Sequence, residues 1–137
     1  MRPPKVVLYV DGDEYRMSRR VFVLETWGYR VLTATTAAAA LARLVDASLS
    51  LDLLFLQAPV PDRDELIRCA KDMQPEMRTL IAGDRSGYEE TSGADVYLPR
   101  SCTAAEIRER IKVLVARKRG PKKLPASVAA VERREVA

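Results

Sequence analysis

The stretch Leu51-Asp-Leu-Leu-Phe-Leu-Gln57-Ala-Pro-Val-Pro61 decides the fold. Leu53 to Leu56 are four consecutive apolar residues, with neither the alternation of a half-buried strand nor the spacing of an amphipathic helix. Bounded by Asp52 and by a proline-containing turn, they predict a strand buried on both faces, as in the middle of a parallel sheet covered by helices. The residue ending such a strand faces the crevice at the carboxyl edge of the sheet, where ligands bind in open α/β folds. Here that residue is Gln57, a neutral amide and a poor nucleophile.

Working outward, Lys5–Val10 is apolar and mostly β-branched and predicts a second buried strand, ending in Asp11-Gly12-Asp13. Met17, Val21 and Leu24 recur at helical spacing, with Glu14 in the first turn and Gly28 as the stop, so a helix is expected over 14–27. Tyr29–Thr33 reads as a strand. Thr35 or Thr36 caps a helix built on Ala37–Ala40 and carrying Leu41, Leu44 and Val45. Beyond Gln57, a helix from Arg63 to Gln74 turns Leu66, Ile67, Ala70 and Met73 inward, with Asp62 and Asp64 expected as its N-terminal caps. Thr79–Ala82 and Val96–Leu98 read as the last strands, and the connection from Gly83 to Gly93 leaves room for only a short helix. Thr103 and Glu106 fit a capping box ahead of the stripe Ile107, Ile111 and Leu114.

At 137 residues the chain predicts one globular domain. No apolar run is long enough to span a bilayer, and Asp11 interrupts the short apolar run at the N-terminus, so no secretory signal is expected. Cys69 and Cys102 lie far apart and read as free thiols in a reducing cytoplasm. Histidine, the commonest general base and metal ligand, is absent. The net charge of +4 is unevenly spread: residues 1–116 hold 16 basic and 17 acidic residues, and residues 117–137 hold seven and two. The chain therefore divides into a nearly neutral body, 1–116, and a basic C-terminal tail, 117–137, expected to be flexible. The tail run Arg-Lys-Arg-Gly-Pro-Lys-Lys reads as a linker or a solvated helix end whose cations favour the C-terminal dipole; as an alternative it would make a nonspecific, salt-dependent contact to nucleic acid, without interleaved aromatics for base readout.

Five strands alternating with helices imply a doubly wound parallel sheet. The pieces at the strand ends, Val10–Asp13, Asp52–Pro61, Arg78–Gly83 and Gly93–Ser101, resemble in order and spacing the receiver domain of bacterial two-component response regulators. The Gly-Ala-Asp-x-Tyr-Leu segment and the Asp-Leu-x-x-Leu-x-x-x-x-Pro frame carry the resemblance, which covers residues 5–116. It implies a flavodoxin-like five-stranded sheet in the order 2-1-3-4-5, with a shortened fourth helix. It also implies chemistry: phosphoryl transfer to an aspartate, with a magnesium ion and fixed donors for the phosphoryl oxygens.

The resemblance also locates the departures. Asp11 matches the first acid of the family's metal site, Gly12 stands where the second belongs, and Asp13 falls one place later. Gln57 replaces the phosphoacceptor, Ala82 the hydroxyl residue, Arg100 the lysine, and Ser101 the proline that the family holds in the cis form. An amide forms no acyl phosphate, and its oxygen carries no full charge for a hard cation. No metal and no cofactor are expected, Asp11 and Asp13 being weak candidates at best. The competing structural roles are loop or helix-capping acids for Asp11 and Asp13, an ion pair with one of them or a solvated surface position for Arg100, and a hydrogen bond from Gln57 to Arg100 or to backbone. Tyr97 matches a switch or docking position of the family, and an amphipathic strand-end tyrosine is its plainer reading. The expectation is a non-enzymatic, phosphorylation-independent receiver-like module. It would bind a protein partner, a histidine kinase or another signalling protein, with no membrane attachment. A nucleic-acid-associated protein working through the tail is the alternative. A residual phosphoacceptor at Asp62 or Asp64 would lack a metal cage.

Overall fold

The computed structural model describes residues 3–46, 50–84 and 93–117. In chain order these form β1 (Val6–Val10), α1 (Glu14–Thr26), β2 (Arg30–Ala34), α2 (Ala37–Asp46), β3 (Leu53–Gln57), α3 (Arg63–Met73), β4 (Arg78–Asp84), β5 (Val96–Pro99) and α4 (Ala104–Arg117). The strands make one all-parallel sheet in the order β2-β1-β3-β4-β5. Four helices are seen among the described residues. Of the Gly83–Gly93 connection expected to hold a shortened helix, residues 85–92 lie outside the described residues, as does the tail beyond 117.

The apolar run that predicts the fold is the centre of it. Leu53, Leu54, Phe55 and Leu56 are all fully buried. The pleat sends alternate residues to opposite layers. Leu8, Val10, Leu54, Leu56 and Ile81 meet Ala40, Leu44, Leu66, Ile67 and Ala70 of α2 and α3 on one side. Val7, Tyr9, Leu53, Phe55 and Leu80 meet Leu24 of α1 and Ile107, Ile111 and Leu114 of α4 on the other. Each fully buried Leu or Ile contributes about 2 kcal/mol of transfer free energy, so the two-sided sheet is the main source of stability.

Local signals close the elements. Asp13 caps α1, accepting from the backbone N–H of Tyr15 and Arg16 at 3.0 and 3.1 Å. The Thr36 hydroxyl accepts from Ala39 N–H at 3.0 Å. Thr103 and Glu106 form the reciprocal capping box, at 2.8 and 3.1 Å. Gly28, at φ 100°, ends α1 in the left-handed region.

Two expectations about α3 are corrected. Met73, expected to face inward, is 43% exposed. Helix α3 ends at Met73, and Met77 in the connection to β4 is buried instead, while Gln74 turns back to accept from Leu51 N–H at 2.9 Å. Asp62 precedes α3 at φ 65° and makes no side-chain cap bond, and Asp64 lies within the first turn, 3.7 Å from Arg63 Nε.

Candidate functional site

In a parallel sheet all strands deliver their carboxyl ends to one edge. Asp11 after β1, Gln57 ending β3, Ala82 in β4 and Arg100 after β5 therefore share that edge. The structure brings their backbones together but does not join their side chains in the way the sequence suggests.

Asp11 is fully buried, and its partners come from β1 and α1. Oδ1 accepts from Asp13 N–H at 2.9 Å and Arg16 Nη2 at 2.8 Å. Oδ2 accepts from the Tyr9 hydroxyl at 2.5 Å and Arg16 Nε at 2.8 Å. Burial alone would push the carboxyl up, but the bonds from Arg16, Tyr9 and the Asp13 amide overcome it and hold Asp11 below its ordinary value. Burial and the bond to Asp11 push the Tyr9 hydroxyl well above its own. The bond to Asp11 chiefly raises Arg16, which stays charged. Arg20, one turn later, stacks its guanidinium over the rings of Tyr9 at 5.7 Å and Phe55 at 5.3 Å.

Arg100 does not form the ion pair expected of it with Asp11 or Asp13. Arg16 takes Asp11 in a bidentate bond and approaches Asp13 Oδ2 at 3.9 Å. The reason is reach: the first turn of α1 places Arg16 beside the end of β1, whereas Arg100 lies across the sheet beyond β3 and β4. Arg16 is the residue at this edge that the sequence reading misses. A signal for it exists, because an arginine in the first turn opposes the helix dipole and needs an acidic partner nearby.

On the other wall, Gln57 is nine-tenths buried and donates from Nε2 to the carbonyl of Ala82 at 3.3 Å, the backbone alternative foreseen for it. Its Oε1 meets no donor among the described residues. A Cβ on Gly83, which sits at φ 86°, would lie 2.4 Å from Gln57 Nε2, so the glycine makes room for the amide. Ala82 is buried in register with Gln57. Arg100 is exposed and lines an open cleft of about 730 Å³ with Gly83 and the Ala58–Glu65 segment. The cis peptide bond among the described residues is Ala58–Pro59, at the mouth of this cleft. Tyr97 is half-buried against the α2–α3 layer.

The family's magnesium site does not fit these residues. A carboxylate offers about four lone-pair directions, and Asp11 has four donors on them. The Asp13 Oδ1 atom is committed to the cap of α1. Gly12 supplies no charge, although a Cβ there would come no closer than 3.8 Å to the Thr35 carbonyl, so no crowding demands the glycine.

Solved structures similar to this chain are CheY-like response regulator receiver domains. A CheY-like receiver domain protein from Methanospirillum hungatei is 26% identical, with a TM-score of 0.73 over 85% of this chain and 97% of that one. A receiver domain protein from Clostridium thermocellum is 24% identical, with a TM-score of 0.74 over 84% and 97%. The response regulator TrrA from Thermotoga maritima, crystallised in complex with magnesium and BeF, is 22% identical, with a TM-score of 0.70 over 80% and 98%. No family model and no curated protein matches the sequence. The chain has the receiver-domain fold of two-component signalling proteins, and no described helix is long and apolar enough to cross a membrane.

Proposed function

We propose that this chain is a receiver-fold signalling module that is not phosphorylated at the usual position and acts by constitutive contact with a protein partner. The observation that carries the reading is Gln57 at the end of β3, held by the Ala82 carbonyl and backed by Gly83. Its amide oxygen cannot become an acyl phosphate, and Ala82 beside it offers no hydroxyl to a phosphoryl oxygen. The module is non-enzymatic, works in the cytoplasm, and has a histidine kinase or another signalling protein as its partner. The body spans 1–116, and the basic run of the tail adds a weak, sequence-blind attraction to nucleic acid.

Acetyl phosphate or beryllofluoride with magnesium should leave intact mass and melting temperature unchanged. A phosphorylated adduct that disappears on hydroxylamine treatment would refute the proposal.

A further inference from the structure

We infer that Arg16 is a tethered counter-ion, a guanidinium built into α1 that balances Asp11 and Asp13 in place of a dissociable divalent cation and so makes the crevice indifferent to magnesium. The inference rests on the reading of an unphosphorylated receiver fold and names how its acidic wall is controlled. Three observations carry it. The guanidinium contacts both carboxylates that the sequence offers to a metal, two bonds of 2.8 Å to Asp11 and an approach of 3.9 Å to Asp13. Asp11 is fully buried, a setting in which an anion needs a partner of opposite charge. With Tyr9 and the Asp13 amide, Arg16 completes the donor set of Asp11, leaving no lone pair directed at a further ligand.

A free ion and a tethered one differ in consequence. A dissociable cation couples the shape of the crevice to its own concentration. A guanidinium on α1 does not leave, and it ties the first turn of that helix to the end of β1 whatever the concentration of divalent cation. The Asp11–Asp13 loop is therefore held in one arrangement, as a constitutive partner surface requires.

The test is the melting temperature of the full chain, with and without millimolar Mg²⁺ or Mn²⁺ at matched ionic strength, for wild type, Arg16→Ala, Arg16→Gln and Arg16→Ala with Asp11→Asn. Wild type should not respond to either ion. Arg16→Ala should melt about 5–10 °C lower and recover part of that loss saturably on adding the ion. The double variant should lose the ion response. Arg16→Gln, the milder change, should bind Mn²⁺ by titration calorimetry about tenfold more tightly than wild type, because a freed carboxylate is a ligand. An ion response in wild type equal to that of the single variants would overturn the inference, as would Arg16→Ala and Arg16→Gln showing no ion response at all. Acetyl-phosphate labelling separates the two readings. Labelled wild type sinks the proposed function alone, while an unlabelled wild type that responds to the ion sinks the tethered counter-ion alone.

Discussion

On the β1–α1 wall of the crevice, four donors converge on the two oxygens of Asp11. On the β3–β4 wall, Gln57 makes one 3.3 Å bond through Nε2, and its Oε1 has no donor among the described residues. Both side chains are buried. The difference follows from charge. A buried carboxylate is tolerated only when its lone pairs are met and a cation stands beside it, whereas a neutral amide survives partial pairing at a smaller cost. One wall is thus a closed electrostatic unit. The other, open in its pairing rather than to solvent, holds a buried, partly paired amide next to Ala58 and Gly83, which line the Arg100 cleft.

The largest expected effect lies on the closed wall. Asp11→Ala leaves Arg16 and the Tyr9 hydroxyl facing each other without an acceptor and should cost about 2–3 kcal/mol, at the low end for a broken buried pair because a third of the Arg16 side chain is exposed. The pH dependence sharpens the point. Asp11 is held below its unfolded-state value of 3.8, so its contribution is present at neutral pH and fades as pH falls below that value. Asp11→Asn should flatten that acid limb in denaturant titrations across pH. A limb as steep as wild type would mean that Asp11 is not its source. Tyr9 works in the opposite direction, since its raised folded value adds stability that is full below pH 10.0 and declines as pH rises past it.

A smaller effect is expected where the open wall is tight. Gly83→Ala drives a methyl group against Gln57 Nε2 from a backbone at φ 86° and should cost about 2 kcal/mol by equilibrium denaturation. Combining it with Gln57→Ala should return the part due to collision and leave about 1 kcal/mol of left-handed strain. A double variant no more stable than Gly83→Ala would show that the amide is not what the glycine accommodates. The smallest effect belongs to Arg100→Ala, within about 0.5 kcal/mol, because the side chain is exposed. A loss comparable to that of Asp11→Ala would mean that Arg100 bears on the closed wall and would erase the contrast between the two.

Most of the fold was legible because its signals are local. The double-sided burial of Leu53–Leu56 needs only a run of apolar residues, and the Thr103–Glu106 box needs only a spacing of three. Asp13 as the cap of α1 is of the same kind. Met73 was less legible, since helical spacing shows which residues share a stripe but not where the neighbouring layer ends. Met77, beyond the helix, is the methionine buried in that layer.

The sequence by itself determined the order of the elements, the parallel sheet they imply, and which residue types stand at the carboxyl ends of the strands, because hydrophobic period, caps and residue types are properties of the chain. Only the tertiary structure decided who pairs with whom. Asp11 had Arg16 five residues away and Arg100 eighty-nine residues away as candidate cations, and charge alone does not choose between them. The choice was made when α1 turned back onto the sheet, bringing a forked guanidinium within 2.8 Å of both carboxylate oxygens while β3 and β4 kept Arg100 on the other wall. Ion pairing falls off with distance and with solvent, and both are set by the packing of the elements rather than by their sequence.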